Sequence, residues 1–240
     1  MLSSMSRLLT RLVAILFALL CAILFVAPEW ATQVFLWTVS PFVTMTIGAF
    51  YLASAAFAWE SARTWRWPIS YAACLYLWAL GLLEADVLVL HSGALRVNTI
   101  LASGYLATIV VAALVAVKGI VDWARRRPKV TAEGPAAPRW IRLLAVGFAA
   151  GTGYIAVIPL SGTARGGTVW PGRLTVLSAR AGLIMTVLLM VAALIYLGQF
   201  NFAEKPGELI YLGAYLIAAI MAGAVLLYTR SRRTMVGVST

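Results

Sequence analysis

The chain has 240 residues, of which 62% are hydrophobic and only 11% charged, and its mean hydropathy is +0.93. A water-soluble domain carries about a quarter of its residues charged, so this much apolar surface does not fit inside one soluble core and lipid must solvate part of it. The net charge is +11. The cations sit between hydrophobic runs, where they set topology and meet lipid headgroups, and nucleic acid is not an expected partner.

Seven runs follow one another along the chain. Residues 12–28 come first, behind Arg7 and Arg11, and residues 31–59 second. The third run covers 67–83 and continues through Glu84 and Asp86 to 90. The fourth is 97–117, the fifth 143–164, the sixth 181–203 behind Arg180, and the seventh 209–229. A helix needs about 20 residues to cross the hydrocarbon layer, and none of the runs alternates with the period of two that barrel strands require. The expected fold is an all-α integral membrane bundle of about seven transmembrane helices. The first run also has the outline of a signal peptide; its long apolar core and the lack of a small-x-small cleavage site before Pro28 favour a retained span. Eight of the nine tryptophans fall near predicted span ends, where an indole keeps its N–H wet, and Trp78 alone is mid-span. Cys21 and Cys74 lie inside runs, without metal-ligand spacing, as packing residues.

With the N-terminus in the cytoplasm, 12 basic residues fall inside and 6 outside, Arg180 being left in its span; this bias sets the expected orientation. The basic tail, Arg230, Arg232 and Arg233, disagrees, because seven spans put it outside. The natural divisions are an N-terminal four-span half at 1–118, a basic cytoplasmic loop at 119–139, a C-terminal three-span half at 140–229 and a basic tail at 230–240. Residues 37–48 resemble residues 170–182, and Gly104, Tyr105 and Leu106 resemble Ala214, Tyr215 and Leu216. The matching glycines are 134 apart and the matching tyrosines 110 apart, so the second copy is 24 residues shorter, about one span. A four-plus-three internal repeat accounts for the odd count.

Trp170, Pro171, Leu174, Thr175, Ala179, Arg180 and Gly182 together resemble the opening of a late span in a family of bacterial membrane proteins of about seven or eight helices. Residues 41–51 and His91 are similar to that family's first half. The resemblance covers most of the chain, from which one late helix is missing. It implies architecture and a bacterial inner-membrane location, and no activity.

Carboxylates within a span are expensive, so Glu84 and Asp86 are the most informative residues. His91 lies two turns beyond Glu84, Arg96 is in the next loop, and Arg180 opens a span that returns from the same side. The five ionisable groups Glu84, Asp86, His91, Arg96 and Arg180 are thus expected at one depth, toward the outer face. The functional reading is a polar site for an ion, a proton or a headgroup; the structural reading is an Arg180 pair that holds two helices in register, or an arginine that snorkels to water. No cofactor is expected, a single pigment or haem-type ligand at His91 being the remaining alternative. Arg125, Arg126, Arg127 and Lys129 form a polybasic patch facing anionic lipid. Gly151, Gly153 and residues 161–167 lack the Gly-Lys-Ser/Thr ending of a phosphate loop. Gly147 with Gly151, and Ala214 with Ala218 and Ala222, have the spacing that lets helices approach closely. Nothing provides a Ser-His-Asp set, a zinc set or a mid-span lysine for retinal.

Three functions fit this pattern. The first is a non-enzymatic accessory or structural subunit, or a lipid- or pigment-binding component of a membrane assembly or homo-oligomer. The second is a small secondary transporter using Glu84, Asp86 and Arg180, with no clearly broken span to support it. The third is a lipid-modifying enzyme, for which no nucleophile is evident.

Overall fold

The computed structural model describes residues 2–129 and five positions between 143 and 151. Among the described residues every regular element is helical. In chain order they are α1 (Ser4–Val26), α2 (Pro28–Val34), α3 (Pro41–Thr64), α4 (Trp67–Leu90), a single 3-10 turn at Ser92–Ala94, and α5 (Ile100–Arg126). Among the described residues, four helices are long and apolar enough to cross a membrane: Ser4–Val26, Pro41–Thr64, Ser70–Leu90 and Ile100–Arg126. The fifth to seventh expected runs, Arg180 and the tail lie outside the described residues, apart from isolated positions such as Gly147 and Gly151, which are helical and have open space where a side chain would stand.

Local chemistry sets the helix ends. Ser3, Ser40 and Thr99 are N-caps whose hydroxyl oxygens accept from the backbone N–H of Ser6, Val43 and Ala102 at 3.2, 3.3 and 3.1 Å, filling donors that a first helical turn leaves open. Pro41 occupies the first turn of α3, where its missing N–H is no loss. Trp65 ends α3 and Arg127 ends α5 in the left-handed region, at φ 46° and 41°. The last carbonyls of α3 take a guanidinium: Arg7 Nε donates to Ala62 O at 2.7 Å and Nη2 to Arg63 O at 2.9 Å. That places the start of α1 beside the end of α3, with a cation on the negative end of the helix dipole.

The four long helices run alternately up and down. Asp122 near the end of α5 accepts from Ser6 Oγ at 2.5 Å, from Ser3 Oγ and from Lys118 Nζ, so the start of α1 also meets the end of α5. Arg7, Arg11, Arg63, Arg66, Arg125, Arg126, Arg127 and Lys129 therefore belong to one end of the bundle, the basic end. The opposite end is built from α2, the 91–99 loop and residues 35–40. Phe17, Leu24, Leu36, Tyr51, Ala58, Leu80, Tyr105 and Ile109 are within 1% of full burial and make one continuous core with their neighbours. The opposite side of α1 shows Leu8, Leu12, Ile15, Leu19 and Ile23 at helical spacing. Apolar on both faces, α1 is an inner wall of the bundle and an outer apolar surface at once. Helices approach most closely at Gly81, where an added Cβ would lie 2.8 Å from the backbone of Ala112, and at Gly119, where it would strike the ring of Trp78.

Two boundaries differ from the sequence reading. Residues 31–59 are not one helix: α2 ends at Val34, residues 35–40 are irregular, and α3 begins anew at Pro41. The cause is local, since the residue before a proline is held extended, as Ser40 is at ψ 159°. The fourth helix runs past residue 117 to Arg126, so residues 119–126 are helix, not loop. The Lys118–Asp122 pair, one turn apart, and the two arginines of the last turn favour that extension.

Candidate functional site

The bundle interior carries a column of hydroxyls and one carboxyl. Tyr51 OH donates to Tyr105 OH at 2.8 Å. Ser54 Oγ donates to Phe50 O at 2.9 Å and is 2.8 Å from Tyr76 OH; with the serine proton directed at a carbonyl, Tyr76 is the donor of that second bond. Each helix contributes through its inward face: Tyr51 and Ser54 on α3, Tyr76 on α4, Tyr105 on α5, and the Phe17 ring of α1 at 4.9 Å from the Tyr51 ring.

Glu84 lies within electrostatic reach of the hydroxyls of Tyr51, Tyr76 and Tyr105. Its relative exposure is 0%, and neither carboxyl oxygen has a hydrogen-bond partner among the described residues. An ionised carboxylate held this way costs several kcal/mol unless a proton or a counter-charge neutralises it. In the same cluster Tyr105 accepts from Tyr51 and finds no acceptor for its own proton among the described residues. An orphan carboxyl is therefore buried within electrostatic reach of an unspent hydroxyl proton.

Toward the His91 end, the turn between α2 and α3 packs against Tyr105. Phe35, Leu36 and Trp37 are 2, 0 and 3% exposed. The Phe35 and Trp37 rings stand edge-on to the Tyr105 ring at 5.0 and 5.5 Å and to each other at 4.7 Å. Two hydrogen bonds from the α4–α5 connection hold this segment: Arg96 N–H to Leu36 O at 2.7 Å and Thr99 Oγ1 to Val34 O at 2.5 Å.

Of the five residues expected at one depth, four are described, and these do not share one face. Glu84 faces the core while Asp86, two residues on and about 200° around the helix, is exposed. His91 is the half-buried C-cap residue of α4, and its Nδ1 lies 3.0 Å from Val87 O, to which it must donate. The Arg96 side chain is exposed and its contribution is the backbone N–H. Arg180 is outside the described residues. Arg125, Arg126, Arg127 and Lys129 are all exposed at the basic end. Among the described residues no three His, Cys, Asp or Glu side chains group as metal ligands.

The sequence reading missed the tyrosines, the 35–37 turn, and Asp122. Asp122 was masked by its place in a basic stretch; its partners Ser3 and Ser6 are more than 110 residues away. No family model, no curated protein and no solved structure matches the chain.

Proposed function

We propose that this chain is a small proton-coupled secondary transporter of a bacterial inner membrane, with Glu84 as its proton-carrying residue. One observation carries the reading: a carboxyl buried completely in an apolar bundle, with neither oxygen partnered among the described residues. Ionisable groups at such depth are rare, expensive and concentrated at ion and proton pathways. A metal cation is a poorer occupant, because hard cations need about six to eight oxygen ligands and no two further His, Cys, Asp or Glu side chains group with Glu84 among the described residues. Together these features favour a carrier over a purely structural accessory subunit or a lipid-modifying enzyme.

In this reading the N-terminus and the basic end face the cytoplasm, following the excess of cations there, and Arg125, Arg126, Arg127 and Lys129 lie against anionic lipid. The count of seven spans in a four-plus-three repeat, and membership of the multi-span family that residues 170–182 resemble, belong to the same proposal. Reconstituted into vesicles loaded with a pH-sensitive dye, the protein carries a proton current under a potassium diffusion potential, and Glu84→Gln removes it. A current of equal size in Glu84→Gln, or no Glu84-dependent current, overturns the reading.

A further inference from the structure

We infer that the 35–37 turn is the gate through which Glu84 exchanges its proton with water, and that the Thr99 hydroxyl is the latch that keeps it shut. This rests on the reading of Glu84 as a proton site and adds its route of access. Glu84 stands six residues from the end of α4 at Leu90, about 9 Å along the axis, and seventeen residues, about 26 Å, from the other end at Trp67. On the long route the bundle is closed by the stacked rings of Trp67 and Trp78, 6.2 Å apart, and by Gly119 pressed on Trp78. On the short route the closure among the described residues is a turn outside any helix, made of Phe35, Leu36 and Trp37. A turn can move as a unit without unwinding a span, whereas the long route would require helices to separate.

Thr99 is built for the latch. Its hydroxyl donates to Val34 O, the last carbonyl before the turn, while the same oxygen caps α5 by accepting from Ala102 N–H. Arg96 N–H to Leu36 O is the second tie, made by backbone alone. Loss of the hydroxyl proton therefore weakens the hold of α5 on the turn and leaves the cap intact if an acceptor remains. Thr99→Asp does this, since aspartate caps helices well and, ionised, donates nothing. Thr99→Ser keeps both functions.

The full chain in lipid nanodiscs, treated with a water-soluble carbodiimide and glycinamide, reports access to each carboxyl by the mass of its peptide. The expected result is modification of Glu84 about tenfold faster in Thr99→Asp than in the parent, the weight of one hydrogen bond, with Thr99→Ser unchanged. Trp37→Ala, which removes part of the plug and leaves the latch, also speeds Glu84, and exposed Asp86 reacts at one rate in every variant. A parental rate at Glu84 in both Thr99→Asp and Trp37→Ala overturns the gate, as does Glu84 reacting as fast as Asp86 in the parent. The two proposals fail separately. A latch-controlled rate with a current that survives Glu84→Gln sinks the carrier alone, and a Glu84-dependent current with latch-independent labelling sinks the gate alone.

Discussion

Replacing Glu84 by leucine should stabilise the protein. The two side chains are close in volume, so the core at this point is neither emptied nor overfilled. What changes is that two oxygens at 0% exposure, without a partner among the described residues, disappear. A buried polar group without a partner costs about 1–3 kcal/mol, and substituting an apolar group of the same shape recovers it. For a chain of 240 residues, a gain near 2 kcal/mol raises Tm by about 4–8 °C on the scaling for chains of 150–250 residues. Glu84→Gln gives no such gain, because it exchanges one orphan polar group for another. Thermal unfolding in mild detergent, followed by tryptophan fluorescence, measures all three proteins. A Tm for Glu84→Leu several degrees below the parent would refute the reasoning, since it would mean that the carboxyl makes a bond worth keeping. A stabilised but inactive leucine variant is the signature of a group retained for function at the expense of stability.

Other consequences follow from the same geometry. Asp122→Ala removes three donors' partner at a residue 5% exposed, with an expected loss of about 2–3 kcal/mol for hydrogen bonds to a charged group; limited proteolysis should then cut sooner near Ser3. Glycine-to-alanine substitutions should rank by space. Gly81→Ala and Gly119→Ala, which press on the Ala112 backbone and the Trp78 ring, lose about 1–3 kcal/mol each. Gly104→Ala, with nothing within 4 Å, gains about 0.5–1 kcal/mol of helix propensity. Equal Tm values across that set would contradict the packing. Tyr51→Phe and Tyr105→Phe each strand one hydroxyl, so the double variant should be more stable than the sum of the two single losses predicts; strict additivity would mean that the hydroxyls do not bond.

Much of the helical half was legible in the sequence because charge-free length is what a crossing helix needs. The run at 67–90 coincides with α4, and α1 starts two turns ahead of the run at 12–28, with Arg7 and Arg11, and ends two residues before it does. Hydropathy failed where backbone chemistry decides: Ser40 before Pro41 is a stop and a start inside a continuous apolar run, and the cap-plus-proline pair was the signal available. At the site, the spacing of Glu84 and Asp86 carries more than their nearness in sequence. Helical geometry alone separates Glu84 from Asp86 by about 200°, so one of them had to leave the core. The tyrosines could not be singled out, because Tyr51, Tyr76 and Tyr105 read as ordinary apolar-run residues until α3, α4 and α5 are packed together. Asp122 likewise gains its meaning only from Ser3 and Ser6 across the bundle.

A proton-carrying Glu84 must rest protonated in its closed site, and infrared spectroscopy reads that state directly. In the difference spectrum of the parent minus Glu84→Gln at neutral pH, the account predicts the carbonyl band of a protonated carboxylic acid that shifts only slowly on transfer to heavy water, as befits a closed compartment. A carboxylate band alone in that difference would contradict it, because it would mean that Glu84 is ionised and paired.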